Sequence, residues 1–572
     1  MALIKTTPAS PMILRVQTEM PGLVLQLPLK SIPAGKSCTV DWGDETPPEV
    51  FTSGGYKSHT YKAMGDYHIA ISGKLSEFAY VPEDNFGMPL PGINKITEVL
   101  SWGSDLGLVS LARAFYYATA LVSVPVNLPP TVTNISGMLS YCSSFNCVNV
   151  MKWDIKQITD LSFLFMGATQ FNQNISKWDL RNVTTTKGMF ASAHAFDQPI
   201  GSWNVGNVTN MAFMFHEARA FNSDIGKWNV SRVTDMRYMF NNELGTGIFN
   251  QNIDKWDVAR VTDMSYMFRG QKGFTQSLST WKTLSARNFS HMFDGCCDKV
   301  SSLRLANWAT GTVTDMSGMF RQSAFNDDIG TWDVGNVTDM SCMFQNCQFD
   351  QDIGQWNVAK VANMNSMFFG CSPFNRWIGA WNVSKVTDMG AMFKNALQFN
   401  KDISGWDVSN VTNMNSMFCD ADSFNQDLSG WQVGKVTDMN SMFKFAMVFN
   451  QDISGWDVSN VSDMGNMFDN AQAFNKNLGN WKLRKAGVNL SGMYIAALAL
   501  SDENFFKTVI LWANYVAAAE SGLPDSPRHV PFGTGGRNAK TSDKEYYPAL
   551  PIKTYNAAKA YLDTGSPAWN FI

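Results

Sequence analysis

The residues of this chain that could carry out chemistry are few and scattered. The six histidines are His59, His68, His194, His216, His291 and His529. None of them occurs in an H-E-x-x-H motif or in another paired metal-ligand spacing, and there is no phosphate-binding loop, G-x-G-x-x-G fingerprint or G-x-S-x-G elbow. Acidic pairs such as Asp327-Asp328 recur at one position of a repeat and are predicted to bond turns. Because an active site needs a unique, asymmetric cluster, the sequence predicts no enzyme and no cofactor.

The nine cysteines show no disulfide framework and no zinc-ligand spacing. Four of them lie four residues after the methionine (or its equivalent) of a Met-Phe pair, where most repeats carry alanine: Cys142, Cys296, Cys347 and Cys371. This pattern predicts that cysteine replaces alanine in a column of small buried residues. A disulfide between Cys347 and Cys371, which fall in neighbouring repeats, is the alternative. The adjacent pair Cys296-Cys297 lacks the partners of a zinc site.

Composition and charge narrow the class of protein. The chain has 572 residues, of which 45% are hydrophobic and 16% charged, and its net charge is −4. A chain without an excess of Lys and Arg is not expected to bind nucleic acid. No apolar run approaches the roughly 20 residues that cross a bilayer, so no membrane insertion is expected. The polar segment that begins at Met1 is not typical of a secretory signal, and we expect no cleaved leader.

Fourteen tryptophans mark an internal repeat. Nine of the thirteen intervals between them are 25 residues, and the other four are 24, 24, 27 and 28 residues. Their positions are Trp153, Trp178, Trp203, Trp228, Trp256, Trp281, Trp308, Trp332, Trp356, Trp381, Trp406, Trp431, Trp456 and Trp481. A fixed period of this size indicates a solenoid, in which each repeat buries its apolar face against its neighbours. The tryptophans are therefore predicted to form a buried stack.

One repeat shows how the unit should be built. Trp456 and Val458 are two residues apart, which predicts one side of a short strand that stacks in parallel on the strands of adjacent repeats. Met464 and Met467 follow at helical spacing, which predicts a short helical turn on the return side. Asp463, between the two segments, is suited to bonding the backbone of a bend.

The segment Trp456–Phe468 reads W-D-V-S-N-V-S-D-M-G-N-M-F. It resembles the 25-residue BspA-type repeats of bacterial surface proteins, and the likeness recurs over some 340 residues. The resemblance implies a leucine-rich-repeat-like fold that mediates attachment and recognition rather than catalysis. Cell-surface placement is the family's usual setting, and the expected lack of an export signal departs from it.

A second resemblance lies near the start of the chain, where residues alternate with a period of two as in half-buried strands. The segments Val40–Thr46 (V-D-W-G-D-E-T), His59–Tyr61 (H-T-Y) and Gly65–Tyr67 (G-D-Y) resemble the marks of PKD-type β-sandwiches. Asp41 and Asp44 are interpreted as capping the tight turn through its backbone. Calcium ligation by these two carboxylates is the alternative.

These patterns predict four domains. They are a PKD-like β-sandwich over 1–82, a linker with degenerate capping repeats over 83–150, the repeat solenoid over 151–495 and a C-terminal cap over 496–572. The last region contains an amphipathic helix with Ser501 as its N-cap. The predicted fold is thus mostly β with short helical turns: a parallel-stranded, leucine-rich-repeat-like solenoid, preceded by the sandwich and closed by a helical cap.

Two surfaces are candidate binding sites. The first is the column of polar residues that follow the tryptophans, such as Asp154, Asn204 and Asp457, and a solvated face is its alternative interpretation. The second is where extra residues break the period, over 241–248 and 295–303, because insertions in a solenoid often form its binding face. Its candidate contact residues are Glu243, Leu244, Thr246, Asp298, Lys299 and Val300. Tolerated surface loops are the alternative.

The predicted function is non-enzymatic recognition or adhesion. The partner would be a protein or glycan receptor on a cell surface, or neighbouring subunits of a large assembly. A receptor-binding or decoration component of a virion-like particle is favoured, with a virion or another extracellular particle surface as its location. The alternative is a bacterial cell-surface adhesin of the BspA type that reaches the surface by a signal-independent route, and a hydrolase accessory module is a more distant one.

Overall fold

The computed structural model describes residues 10–81, 87–297, 303–484 and 488–520, together with Asn556 and Ala558. The chain divides into two compact units, Met1–Ala286 and Arg287–Ile572, called here the first and second units. The four domain boundaries drawn from the sequence stay predictions.

The first unit begins with two antiparallel sheets. The strands are β1 (Met12–Thr18), β2 (Leu23–Leu29), β3 (Cys38–Asp41), β4 (Glu49–Phe51), β5 (Gly55–Tyr61), β6 (Gly65–Gly73) and β7 (Ile96–Trp102). One sheet has the order β4-β3-β6-β1-β7, and β2 pairs with β5 in the other. Alternate residues of β1 are buried, so the period of two read from the sequence is confirmed here.

The turn after β3 is held by its own carboxylates. The amide of Gly43 donates to Asp41 Oδ1 at 3.0 Å, and the amide of Thr46 donates to Asp44 Oδ1 at 3.3 Å. Asp44 Oδ2 also lies 2.8 Å from His59 Nε2. Both carboxylates therefore act as the predicted turn caps. In the part of the chain that the structure describes, no group of three or more His, Cys, Asp or Glu side chains could hold a metal ion.

After the sheets, each repeat forms one coil, and successive coils of the first unit stack in parallel. Parallel bridges join Asp160 to Thr185, Thr185 to Asn210, Asn210 to Asp235 and Asp235 to Asp263. These bridges fall on the Thr-Asp-Met segment, so the prediction of a strand at Trp-x-Val is wrong. The polar residue after the tryptophan explains why. Asn204 Oδ1 accepts the amide of Gly206, which bends the chain directly after Trp203.

The predicted helical turn on the return side is wrong as well. This segment is a series of β-turns, and it contains Met211, Phe213, Phe215 and Glu217. In one of the turns the amide of Met214 donates to the carbonyl of Met211. The amides of these four alternate residues donate to carbonyls of the next coil at 2.8–3.0 Å. Hydrogen bonds between coils therefore replace the bonds that a helix would make within itself.

The tryptophans form the buried stack that the period predicts. Trp203 is 4% exposed, and its ring centroid lies 6.3 Å from that of Trp228 with the planes 7° apart. Trp203 Nε1 donates to the carbonyl of Ile175 in the preceding coil at 3.1 Å. Each indole thus fills the core and satisfies its single polar group.

The second unit is a further stack of coils. Parallel bridges run from Asn288 through Asp315 and on to Asn489 at the same position of every repeat. Its helix α1 (Asp502–Glu520) begins after Ser501, whose Oγ accepts the amide of Asn504 at 3.2 Å as predicted for an N-cap. The helix packs on the last coil, where Trp512 Nε1 donates to the carbonyl of Leu478 at 3.0 Å. Short 3-10 segments occur at Ile93–Lys95, Val148–Lys152 and Leu305–Asn307.

Two further expectations concern the cysteines and the membrane. Cys347 and Cys371 are free thiols, so they form no disulfide. Cys142, Cys296, Cys347 and Cys371 are fully buried, which confirms the column of small residues. Among the described residues, no helix combines the length and apolarity needed to span a bilayer.

Candidate functional site on the turn face

Each coil turns at backbone positions with a left-handed conformation, and we call the surface that these turns form the turn face. The first such position is the third residue of the M-x-x-M segment, and the second lies four residues later. In the second unit the first position carries small or polar residues with φ between 51° and 57°, or glycine. Examples are Ser366, Ala391, Ser416, Ser441 and Asn466. These are residue types that keep the cost of this conformation low.

The first unit breaks this rule with aromatic residues. Six bulky rings occupy left-handed positions there, with φ between 57° and 64°. We call them the aromatic strip: Tyr117, Tyr141, Phe163, Phe213, Tyr238 and Tyr266. A left-handed conformation costs roughly 1–2 kcal/mol for a residue with a Cβ, and it is unusual for a bulky side chain. The second unit has His291 and Phe445 at such positions as its exceptions among the described residues.

Five of the six rings stack along the direction in which the coils repeat, in the groups Tyr117–Tyr141 and Phe213–Tyr238–Tyr266. The Phe213 and Tyr238 centroids are 4.7 Å apart, those of Tyr238 and Tyr266 are 4.4 Å apart, and those of Tyr117 and Tyr141 are 4.3 Å apart. All six side chains are half-buried, so one edge of each ring faces solvent. Burial raises the pKa of Tyr238 to about 12, so its hydroxyl stays protonated at neutral pH.

A cleft of about 330 Å³ lies at the N-terminal end of the aromatic strip. Tyr80, Arg113, Asp160, Ser162 and Phe163 are among the residues that line it. The cleft therefore combines aromatic rings with one cation, one carboxylate and a hydroxyl. Small-molecule sites in proteins have this character, with an apolar surface and a few polar groups that fix orientation.

Tyrosine hydroxyls beside this cleft are available to a ligand. Tyr116, Tyr117 and Tyr141 contact one another, with centroids 4.8 Å apart for the first two. Within the described ranges, none of their hydroxyls has a hydrogen-bond partner. Burial raises the pKa of Tyr116 to about 12, so this hydroxyl is a neutral donor and acceptor at neutral pH.

The first of the two predicted loops, 241–248, adjoins the other end of the aromatic strip. Glu243 is exposed, and its Oε1 lies 3.3 Å from Arg269 Nη1. The Arg269 guanidinium in turn lies over the ring of Tyr266, 5.6 Å from its centroid. Leu244 is 66% exposed, and Thr246 is exposed with its amide bonded to Asn242 Oδ1. The candidate residues of this loop therefore form the border of an aromatic surface.

The other half of the predicted patch is not described. Asp298, Lys299 and Val300 lie outside the described residues, and the segments 241–248 and 295–303 belong to different units. Their joint patch stays a prediction.

The loop 241–248 is anchored by a buried amide. Gln271, which is 5% exposed, stands where most repeats carry alanine. Its Nε2 donates to the carbonyl of Phe240 at 2.5 Å, and its Oε1 accepts the amide of Phe249 at 3.1 Å. The side chain of Gln271 thus bonds both ends of the loop and joins it to the next coil.

The polar side chains that follow the tryptophans accept hydrogen bonds from the backbone. Their carboxylates and amides accept the amide two residues later at 3.0–3.2 Å. Examples are Asp154, Asn204, Asp333 and Asp457. Asp463 bonds Gly465 in the same way at 2.8 Å, as predicted for a bend. These contacts account for the acidic and amide residues without a ligand.

The acidic pair of the second unit has the same explanation. Asp328 Oδ1 accepts the amide of Gly330 at 2.9 Å, and Asp327 Oδ2 accepts the amide of Arg304 at 2.7 Å. Burial raises the pKa of Asp327. Asp328 therefore bonds a turn, as predicted, whereas Asp327 bonds the backbone of the preceding coil.

Sequence reasoning missed the aromatic strip. Its signal was present in the third residue of the M-x-x-M segment, which is Phe213, Tyr238 and Tyr266 in three successive repeats but Ser416 and Ser441 later in the chain. Aromatic residues in a Phe-rich repeat suggested core, and nothing in the sequence marks the left-handed backbone. The structure adds the missing fact that these rings lie on the turn face.

Comparisons with known proteins place the repeats in a family. A family model described as "Mycoplasma protein of unknown function, DUF285" matches residues 133–246, 244–304, 297–406 and 392–505. No curated protein matches the chain. A solved structure of a TLR13–ssRNA13 complex is similar at 10% sequence identity, over 69% of this chain and 48% of that chain, with a TM-score of 0.17.

This chain thus covers about half the length of that protein, and at this TM-score no property of it transfers. The family matches run without a gap from residue 133 to residue 505, which is more than half of the 572 residues. The chain is a repeat protein, and it belongs to the DUF285 family.

Proposed function

We propose that this chain is a non-enzymatic recognition or adhesion protein, with a solenoid of repeats as its scaffold and the turn face of the first unit as its binding surface. The observation that carries the proposal is the aromatic strip. Its rings occupy strained positions that the second unit fills with small or polar residues, His291 and Phe445 excepted among the described residues. Strained residues that the scaffold itself does not need are typical of functional sites.

Packing does not explain why the rings are there. The core of each coil is complete without them, because the tryptophans, phenylalanines and methionines of the repeat are already fully or almost fully buried. Phe213 and Tyr238 are half-buried, so they gain less from burial than Phe215 and Phe240 beside them. Exposed aromatic rings next to charged groups such as Arg269 are typical of interaction surfaces.

The setting that we propose is the surface of an extracellular particle. A receptor-binding or decoration protein of a virion-like assembly would present such a face to a protein or glycan receptor on a cell, or to neighbouring subunits. The resemblance of the repeats to BspA-type surface proteins supports a surface role, and a bacterial cell-surface adhesin is the second candidate. Capsid or tail genes beside the coding gene would favour the particle, and their absence from the neighbourhood would favour the adhesin.

Binding of the fluorescently labelled full chain to intact cells tests the proposal. The strip variant Phe213→Ser/Tyr238→Ser/Tyr266→Ser introduces a residue that the second unit uses at the same backbone position. The matched control is Phe445→Ser, which replaces a left-handed aromatic residue of the second unit. We expect the strip variant to lose most cell binding and the control to keep it. Equal binding by all three proteins, with unchanged melting temperatures, would exclude the turn face.

A further inference from the structure

We propose that the cleft at the N-terminal end of the aromatic strip binds a neutral glycan chain. This inference rests on the proposed function, since it names the ligand class of the same turn face. The residues that carry it are Tyr80, Arg113, Asp160 and Phe163, all of which line the cleft.

The aromatic rings provide the apolar half of the site. Tyr80 and Phe163 line the cleft, and the side chain of Phe163 is half-buried. A sugar ring has one face of C–H groups, which packs on an aromatic surface while its hydroxyls point outward. Rings that are already held in place lose little conformational entropy on binding, so they suit a weakly apolar ligand.

The polar groups of the cleft match hydroxyls. Arg113 supplies N–H donors and has no ion-pair partner in the described part of the chain. Asp160 is half-buried, and one of its oxygens accepts the amide of Ser162 at 2.7 Å, which leaves acceptor capacity on the carboxylate. One cation and one anion together give the lining no net charge, which favours a neutral ligand that both donates and accepts hydrogen bonds.

The lining of the cleft does not suit strand addition by a peptide or binding of a nucleic acid. A peptide that adds to a sheet edge needs free backbone amides. Here the amide of Arg113 donates to the carbonyl of Ser136 at 2.9 Å, and that of Phe163 donates to the carbonyl of Lys187 at 2.8 Å. A nucleic acid needs several cations for its phosphates, whereas the cleft has a single Arg beside a carboxylate.

The length of the cleft sets the size of the ligand. Its lining comes from the coils of Arg113, Gly137 and Asp160, which are adjacent in the stack. At about 4.8 Å for each hydrogen-bonded neighbour, three coils span roughly 10 Å, which is about two hexose units. The cleft is open rather than enclosed, so a longer chain can pass through it.

Gly137 leaves room for the side chain of Arg113 in the lining of the cleft. It has φ of 60°, and a Cβ there would lie 2.9 Å from Cγ of Arg113. The side chain of Arg113 therefore extends across Gly137 toward the next coil. This arrangement holds the guanidinium stem in the lining.

Glycan binding by the full chain tests the inference. Immobilised neutral oligosaccharides are the first probe, the same backbones with uronic or sialic acid are the second, and a panel of unstructured peptides is the third. Titration calorimetry then gives the affinity of the best neutral ligand for the parent and for variants. We expect Phe163→Asn and Arg113→Gln each to weaken it at least tenfold. Asparagine is chosen because the second unit carries Asn466 at the left-handed position that corresponds to Phe163.

The control is Phe445→Asn, which makes the same change at a left-handed phenylalanine of the second unit and should leave affinity unchanged. Binding only to acidic glycans or only to peptides would overturn the inference, and so would equal affinity in all variants with parental melting temperatures. Cells that bind the parent but not the Phe213/Tyr238/Tyr266 variant, with no glycan bound, would leave the proposed function standing while this inference fails. Cell binding that is equal for the parent and for the Phe213/Tyr238/Tyr266 variant would overturn the proposed function instead.

Discussion

The ring of Phe163 occupies the space that a side chain at Gly188 would need. A Cβ at Gly188 would lie 2.5 Å from Cδ1 of Phe163, and Gly188 itself has φ of 61°. Tyr141 and Gly167 have the same relationship, since a Cβ at Gly167 would lie 2.5 Å from Cδ1 of Tyr141. In these two pairs the ring of the bulky left-handed residue covers a glycine of the next coil, whereas Phe213, Tyr238 and Tyr266 follow one another in successive coils with their rings stacked. Where a ring lies over the next coil in the first way, the glycine there has no room for a side chain.

Gly188→Ala should destabilise the first unit by more than the roughly 1–2 kcal/mol of a left-handed alanine, because it also displaces the ring of Phe163. In a Phe163→Ser background the ring is absent, so Gly188→Ala should lose only the stability that a left-handed alanine costs. A double-mutant cycle by urea denaturation should thus show a coupling of about 0.5–3 kcal/mol, with the double variant more stable than the sum of the singles. Gly405→Ala, whose Cβ would meet nothing within 4 Å, is the control. Additive effects of the two changes would contradict the contact.

Trp406→Ala should cost roughly 3–5 kcal/mol, since it opens a cavity in the stack and removes an indole hydrogen bond. Trp406 is 3% exposed, lies 6.4 Å from Trp381 and 6.5 Å from Trp431 by ring centroid, and donates to the carbonyl of Ile378. Trp377→Ala is the control, because that side chain is 51% exposed and should change stability by less than about 0.5 kcal/mol. Denaturation midpoints that are equal for both variants would exclude a structural role for the tryptophan column.

Stability should fall as the solution is acidified from pH 7.5 to 5.5. The pKa of His216 is lowered by burial. The nearby carboxylates of Glu217 and Glu243 raise it, but the effect of burial is larger. Asn241 Nδ2 lies 3.0 Å from His216 Nδ1, and an amide nitrogen can donate only to an unprotonated ring nitrogen. Because the folded pKa lies below the unfolded value of about 6.5, the unfolded chain binds more protons between the two, and stability rises with pH there.

Urea midpoints at the two pH values measure this effect. His216→Gln should reduce the pH dependence. A residual slope is expected from His194, whose pKa is lowered by burial as well. A midpoint that falls as far in His216→Gln as in the parent would show that His216 does not contribute.

Removal of Leu244–Thr246 should expose the role of Gln271. The deletion returns the interval between Trp228 and Trp256 to 25 residues, but it disturbs the loop ends that the buried amide of Gln271 bonds. We expect a loss of about 1–3 kcal/mol, the cost of a buried polar group left unpaired. Adding Gln271→Ala should recover part of it, since alanine is usual at this position. The melting temperatures of the parent, the deletion variant and the combined variant test this prediction. If Gln271→Ala restores none of the lost stability, this role for Gln271 is contradicted.

Much of the scaffold followed from residue types alone. The 25-residue period, the buried tryptophan stack and the cysteines in a small buried column were all read correctly, because each depends on which side chains leave water. The turn-capping roles of Asp41 and Asp463 also followed, since a short carboxylate has few other uses at a bend.

The path of the backbone depended on the tertiary structure. Trp456 and Val458 have the alternation of a strand, but the parallel bridge falls on Asp463, and the Met464–Phe468 segment forms turns rather than a helix. Backbone amides and carbonyls are the same in every residue, so no sequence pattern records which coil they bond. The aromatic strip was hidden for a related reason. Only the stacked coils hold Phe213 and Tyr238 in a left-handed conformation that their residue type disfavours, and only there do their rings become a surface.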